Sequence, residues 1–147
     1  MIYVTSRSFA VNNASSFYDC ALISISGTHR DYTNTVPVDV FEDAIQVVFD
    51  DVLEDGSVPQ TPAHRQEGWE GETFVPFNKE HAKKIIEFAE IHIEQSNDII
   101  VHCDAGISRS VAVGKYLAEA YGLKVQYVSI GHDKFANQHI YSTLKSI

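Results

Sequence analysis

The chain has 147 residues, a common length for one folded domain, and 44% of them are hydrophobic, which is typical of a protein with a buried core. Its formal net charge of −9 disfavours a general role on nucleic acid or on an anionic membrane, since proteins of those classes usually carry a basic surface. The two cysteines, Cys20 and Cys103, lie far apart without metal-ligand spacing, which favours a reducing, cytoplasmic setting. The sequence also shows neither a signal peptide nor a membrane-spanning stretch.

Predicted strands and helices alternate along the chain. Short runs of apolar or alternating residues predict strands at 2–5, 20–26, 44–49 and 99–102. Apolar residues at helical spacing predict helices at 78–96, 110–121 and 133–147, whereas 6–17 is ambiguous. Asn78 is a suitable helix N-cap, and Gly122 stands where a C-terminal cap glycine belongs. The alternation predicts an α/β fold in one domain, 1–147, with a single, mostly parallel central sheet flanked by helices.

The most informative segment is His-Cys-Asp-Ala-Gly-Ile-Ser-Arg-Ser, residues 102–110, between a buried strand and a helix. In α/β sheets such a junction binds anions, because the first amides of the helix are unpaired and its dipole is positive there. Gly106 allows a tight turn, so that successive amides can surround a phosphate. The backbone that would bind it comes from Asp104, Ala105, Gly106, Ile107, Ser108 and Arg109.

Three side chains of this segment suit phosphate chemistry. Arg109 offers a planar guanidinium that can bind two phosphate oxygens at once. The helix N-terminus and Arg109 both favour the thiolate of Cys103, which is a strong nucleophile without a dedicated base. The hydroxyl of Ser110 can donate a hydrogen bond to that sulfur and stabilise it as a leaving thiolate.

This run resembles the signature loop of the protein tyrosine phosphatases, and most closely their small dual-specificity branch with its bacterial and phage-type members. The core of the resemblance spans about 45–122. It implies a phosphotyrosine protein phosphatase-like fold and a phosphorylated protein or peptide as substrate, with tyrosine and also serine or threonine as phosphorylated residues. It implies catalysis without a cofactor, through a cysteinyl-phosphate that water hydrolyses. A monomer is the favoured assembly.

The family also uses an aspartic acid that protonates the leaving group and later activates water. It follows the strand before the long helix, where this sequence has the pair Asp50 and Asp51. Aligned on the strand end, Asp51 is the better match and Asp50 the alternative, although one of the pair could instead cap the following turn.

Other residues receive lesser roles. His102 is expected to brace the loop, Asn137 to have only a structural role, and Cys20 to lie in the core or, less favoured, to form a disulfide with Cys103 under oxidation. The seven histidines show no ligand spacing, so no metal is assigned. Members of the resembled family that act on lipid phosphates tend to carry basic residues at two positions of the loop, where this sequence has acidic Asp104 and apolar Ile107. The resemblance therefore disfavours a phosphoinositide substrate.

The segment 52–76 holds three prolines and three glycines and is predicted to be a long loop or insertion. One hypothesis makes 54–74 a lid, with Trp69 contacting the substrate; a disordered surface insertion is the alternative. Two other functions stay open for the whole chain. The first is a phosphate-binding module without turnover, and the second is an RNA 5′-phosphatase, although no basic track for RNA is visible.

Overall fold

The computed structural model describes residues 1–28, 36–58 and 74–147. Its centre is a five-stranded sheet in the order β3-β2-β4-β1-β5. The strands and helices, in chain order, are β1 Ile2–Ser6, α1 Arg7–Asn12, β2 Ala21–Ser26, β3 Asp43–Val48, α2 Lys79–Glu94, β4 Ile99–Cys103, α3 Arg109–Tyr121, β5 Val125–Tyr127 and α4 Gln138–Lys145. Two short 3₁₀ helices cover Ala14–Phe17 and Val38–Val40.

Every neighbouring pair of strands in the sheet is parallel. The carboxyl ends of all five strands therefore lie along one edge of the sheet. The register places Ser6 of β1 opposite Cys103 of β4 at that edge, and Ser26 of β2 opposite Val48 of β3. The α/β prediction with a central parallel sheet is confirmed, and this edge is where such sheets bind ligands.

Strand β4 lies between β2 and β1 and is buried along its whole length. Because successive side chains point to opposite faces, Ile99, Val101 and Cys103 join the core under α2, α3 and α4, whereas Ile100 joins a smaller core on the side of α1. The continuous apolar run of β4 is thus explained by helices that cover both faces of the sheet.

Helix α2 starts with the capping box at the predicted N-cap: the Asn78 side chain accepts from His81 N, and Asn78 N donates to His81 Nδ1, each at 3.0 Å. Gly122 ends α3 in the left-handed conformation, as predicted. The last helix was predicted too early, since α4 begins only after its N-cap Asn137. Strand β5 was not predicted, because its three residues, of which the middle one is exposed, carry too little pattern.

The segment predicted as a long loop has no helix or strand in its described parts, 52–58 and 74–76. Most of the segment 54–74 that was hypothesised to form a lid, including Trp69, lies outside the described residues. Among the helices that the structure describes, none is both long and apolar enough to cross a membrane.

Candidate active site

Strand β4 ends at Cys103 and α3 begins at Arg109, so the segment that joins them lies at the carboxyl edge of the sheet. We call residues 103–109 the phosphate loop. Ser108 occupies the N-cap position of α3, but its side chain does not cap the helix. Its hydroxyl instead donates to Asp51 Oδ1 at 2.8 Å. The first turn of α3 therefore lacks the usual side-chain acceptor and is suited to receive an anion.

The sulfur of Cys103 is directed into this loop, and the residue is only 3% exposed. Gly106 N donates a hydrogen bond to Sγ at 3.3 Å, and Ser110 Oγ lies 3.1 Å from it. Gly106 N donates to the sulfur, and Ser110 Oγ can donate to it when the sulfur is ionised, so both groups can stabilise a negative charge there.

The guanidinium of Arg109 is buried, with the residue 7% exposed. Its Nη1 donates to the carbonyl of Phe49 at 3.2 Å, just beyond the end of β3. Phe49 N in turn donates to the Ser26 carbonyl at 2.9 Å. The predicted phosphate-binding cation is thus held by the ends of two neighbouring strands, so its orientation is fixed in advance.

Gly106 sits where no other residue fits without movement. Its φ is +71°, and a Cβ would lie 2.6 Å from Thr5 C, 2.7 Å from Ser6 N and 2.8 Å from Ser129 Oγ. Ser6 N also donates to Ser129 Oγ at 2.8 Å. The end of β1 and the turn after β5 therefore press against the middle of the phosphate loop.

Asp104, the first residue after the nucleophile candidate, is tied to the start of α1. Arg7 N donates to the Asp104 carbonyl at 3.1 Å, and Arg7 Nη1 donates to the Asp104 carboxylate at 3.0 Å. The same guanidinium approaches the Ser26 hydroxyl at 3.4 Å. Arg7 thus offsets the negative charge that Asp104 brings to the mouth of the loop.

The structure places Asp50 and Asp51 in different surroundings. Asp50 is 5% exposed and turns away from the phosphate loop: its carboxylate accepts from the amide and hydroxyl of Thr28 and from Val75 N. Asp51 is half-buried, and its Oδ1 accepts from Ser108 Oγ and from Asn137 Nδ2, both at 2.8 Å. Asp51 is therefore the member of the pair that contacts the loop.

His102 is fully buried directly beneath the loop. Its Nδ1 lies 2.9 Å from the Cys103 carbonyl and its Nε2 lies 2.7 Å from Ser24 Oγ. Because a carbonyl only accepts, Nδ1 donates to it, and Nε2 shares the second hydrogen bond with the Ser24 hydroxyl. The ring fixes the backbone of the residue that carries the sulfur.

Cys20 cannot pair with Cys103, so the less favoured disulfide hypothesis is wrong. Cys20 precedes Ala21, which stands opposite Ile99, four residues before Cys103. The two cysteines are therefore separated by about 16 Å along the strands at roughly 3.3 Å per residue, and a disulfide needs Cα atoms within about 7 Å. Cys20 is buried in the core on the α1 side, as the favoured interpretation predicted.

Three residues around the loop had no predicted role in the site: Arg7, Ser129 and Asn137. Arg7 and Ser129 lie in segments without any motif, and only the parallel sheet brings them to the same edge. Asn137 carried one usable signal, since an asparagine before an amphipathic stretch suggests an N-cap. That signal explains the start of α4 but not the contact with Asp51.

Comparison with known proteins identifies the fold. No family model matches the sequence, and no curated protein matches it. Solved structures do match, among them Tk-PTP, a protein tyrosine phosphatase, in its active form, and a mutant form of the same protein. The fold is protein tyrosine phosphatase-like.

Both matches extend over nearly the whole chain. The active form is 14% identical with a TM-score of 0.56, and the match covers 99% of this chain and 89% of Tk-PTP. The mutant form is 17% identical with a TM-score of 0.52, covering 99% and 87%. At this identity the likeness establishes the fold, and the arguments on chemistry depend on the site itself.

Proposed function

We propose that the protein is a phosphatase that hydrolyses phosphotyrosine in proteins through a cysteinyl-phosphate intermediate. The observation that carries the proposal is the sulfur of Cys103, which lies within hydrogen-bonding distance of Gly106 N and Ser110 Oγ at the N-terminus of α3. Arg109 is the first residue of that helix, and its guanidinium is buried. A nucleophile, anion-binding amides and a cation on one loop are the components that phosphoryl transfer needs.

In the first step, the phosphate dianion binds the loop amides and Arg109, and the Cys103 thiolate attacks phosphorus. The S–P bond forms as the bond from phosphorus to the tyrosine oxygen breaks. Asp51, in its acid form, gives its proton to that oxygen, so tyrosine leaves as a neutral phenol. The contact of Asp51 with Ser108 supports this assignment over Asp50, whose carboxylate is committed to Thr28 and Val75.

In the second step, water attacks phosphorus and the S–P bond breaks. Asp51, now a carboxylate, accepts a proton from the attacking water, and inorganic phosphate leaves. The hydroxyl of Ser110 donates to the departing thiolate. Each group returns to its starting protonation state, so the cycle consumes only phosphate ester and water.

The substrate class rests on the loop and its rim. Asp104 is exposed at the mouth and is paired with Arg7, so this ion pair adds no net positive charge that could bind further phosphates. That favours a single phosphate ester on a peptide over a polyanionic ligand. The likeness of the loop to small dual-specificity phosphatases supports phosphoserine and phosphothreonine as further substrates. A free thiolate nucleophile suits a reducing compartment, which supports a cytoplasmic location.

The decisive experiment compares four proteins on phosphotyrosine, phosphoserine and phosphothreonine peptides without added metal: the parent, Cys103→Ser, Arg109→Lys and the matched control Cys20→Ser. The parent should release phosphate and be inhibited by vanadate. Cys103→Ser should abolish turnover, and Arg109→Lys should lower kcat/KM by about 10²-fold or more because a lysine cannot bind two oxygens in one plane. Cys20→Ser should retain activity.

Two results would contradict the proposal. Tight binding of phosphotyrosine peptide by the folded parent, without phosphate release, would indicate a binding module. Release of phosphate from RNA 5′-triphosphate ends, with none from the peptides, would indicate an RNA phosphatase.

A further inference from the structure

Asn137 is buried, with 2% of its surface exposed, and all its polar atoms have defined partners. Its side-chain oxygen accepts from Ile140 N at 3.1 Å, which is the ordinary N-cap contact at the start of α4. Its Nδ2 donates to Asp51 Oδ1 at 2.8 Å and to the Val52 carbonyl at 3.1 Å. Its backbone N donates to the Ser108 carbonyl at 3.2 Å.

An N-cap asparagine needs only its oxygen to cap a helix, so the two bonds from Nδ2 are an additional function. Both go to the segment that follows β3, and the backbone bond goes to the phosphate loop. Asn137 therefore connects three parts of the chain: α4, the end of the phosphate loop and the segment that carries Asp51.

The bond from Asn137 affects how the carboxyl group of Asp51 is oriented. Oδ1 accepts two hydrogen bonds, from Ser108 Oγ and Asn137 Nδ2, and these two donors fix the rotation of the group. An oxygen that accepts two hydrogen bonds is a poor place for the proton. In the acid form the proton is therefore carried by Oδ2, and the direction in which it points is set by the donors on Oδ1.

We propose that Asn137 is a positioning residue for proton transfer, which aims the carboxyl group of Asp51 at the leaving oxygen. The proposal rests on the proposed function and extends it to a residue that the sequence assigned only a structural role. Misplacing a catalytic group by about 1 Å costs up to about 10²-fold in rate, so the effect is large enough to measure.

The test compares two substrates whose leaving groups differ in whether they must be protonated as they leave. Tyrosine leaves as a weakly acidic phenol and requires a proton from Asp51, whereas the dinitrophenolate released from dinitrophenyl phosphate is a stable anion and requires none. A residue that positions the proton affects the first substrate alone. A residue that only supports the loop affects both substrates equally, because both use the same nucleophile and phosphate-binding groups.

The experiment measures kcat/KM on a phosphotyrosine peptide and on dinitrophenyl phosphate for the parent, Asn137→Ser, Asp51→Asn and the double variant. Serine caps a helix about as well as asparagine but is too short to reach Asp51, so α4 keeps its cap. Asn137→Ser should lose about tenfold or more on the peptide and less than about threefold on dinitrophenyl phosphate. In the Asp51→Asn background it should add almost nothing.

Equal losses on both substrates, or a loss that adds fully to that of Asp51→Asn, would overturn the proposal. Asn137→Asp provides a second variant should the serine protein fail to fold. It keeps the cap and the side-chain size but removes the amide donor, and the same selective loss is expected at neutral pH. Failure of the proposed function looks different, since the parent itself would then turn over neither substrate.

Discussion

The hydroxyl oxygen of Ser110 lies 3.1 Å from the sulfur of Cys103, and both residues are buried. Ser110 is the second residue of α3, and Cys103 is the last residue of β4. The strand and the helix thus each contribute one member of the pair, and the phosphate loop between them sets the distance. In the proposed mechanism this hydroxyl stabilises the thiolate at the end of the second step, when the S–P bond breaks.

Replacing Ser110 by alanine should therefore slow the hydrolysis of the cysteinyl-phosphate more than its formation. A hydrogen bond to a charged group is worth about 1.5–3 kcal/mol, so kcat should fall by roughly 10- to 150-fold. Stopped-flow measurements should show a burst of released phenol, and kcat should become the same for different aryl phosphates because they share one intermediate. A steady state without a burst, and with kcat still dependent on the leaving group, would contradict the assignment.

The two neighbouring acids should give opposite results when each is changed to asparagine. Asp51→Asn keeps an oxygen to accept from Ser108 and Asn137, so the fold should be retained while kcat/KM on phosphotyrosine peptide falls by about 10²-fold or more. Asp50→Asn places an amide among donors from Thr28 and Val75 and should cost about 1–3 kcal/mol of stability. Thermal unfolding and steady-state kinetics on both proteins distinguish the two roles.

Dinitrophenyl phosphate provides the control for this pair. Its hydrolysis should be nearly unchanged in Asp51→Asn, since the leaving group needs no proton. If instead Asp50→Asn shows the loss that is selective for the leaving group, Asp50 is the acid and the assignment of Asp51 is wrong.

Gly106→Ala and Gly122→Ala form a matched pair of variants. They test whether the close packing of Thr5, Ser6 and Ser129 against Gly106 matters for activity. Both glycines have positive φ, +71° and +65°. Backbone strain should therefore lower the free energy of unfolding of each alanine variant by about 1 kcal/mol. A Cβ at 122 meets nothing within 4 Å, whereas one at 106 collides with the backbone of Thr5 and Ser6. Gly122→Ala should keep full activity, and Gly106→Ala should lose at least about tenfold, since the loop must move.

The measurement is kcat/KM together with the melting temperature of each variant. Equal activity in the two proteins would mean that the loop tolerates a shift at Gly106. The close packing around Gly106 would then have no catalytic consequence.

The two thiols should differ in reactivity. Burial, and then the nearby charges of Asp19 and Asp98, raise the pKa of the Cys20 thiol to about 12, so Cys20 should resist iodoacetate at neutral pH. Cys103 should be carboxymethylated first, and bound vanadate should protect it. Peptide mass spectrometry reads out both sites. Modification of Cys20 ahead of Cys103, or a Cys20–Cys103 disulfide after peroxide treatment, would be incompatible with the structure.

Acid should weaken the start of α2 through His81. Burial, and then the charge of Lys84, lower the pKa of His81, and its neutral Nδ1 accepts from Asn78 N. Because the folded-state pKa lies below the ordinary value of 6.5, the stabilisation is complete above that pH and is lost as pH falls through the folded-state pKa. The melting temperature should therefore drop between neutral pH and about pH 5.

His81→Gln supplies the control, because glutamine also closes a capping box but does not titrate. Its melting temperature should fall less over the same range of pH. An identical fall in the two proteins would assign the effect to other groups.

The sequence was most informative where the chemistry is local. Cys103, Gly106, Arg109 and Ser110 lie within eight consecutive residues between a buried strand and an amphipathic helix, so the strand-to-helix turn alone brings them together. For the same reason Asn78 and Gly122 could be assigned as the ends of helices: a cap interacts with residues three or four positions away.

The pair Asp50 and Asp51 shows where the sequence stopped being decisive. Successive residues beyond a strand end differ by about half a turn in direction, and only the packing of Thr28 and Val75 around Asp50 leaves Asp51 facing the loop. Sequence registers are uncertain by a few residues, which is more than this difference.

By itself, therefore, the sequence determined the nucleophile candidate, its cation and the anion-binding turn, since short-range backbone geometry holds all three. Only the tertiary structure decided which acid meets the loop, that Thr5, Ser6 and Ser129 enclose Gly106, and that Asn137 contacts Asp51 across 86 positions. Those contacts join segments that are distant along the chain. They form because five parallel strands end at one edge, and a register of that kind is set by the packing of the whole sheet.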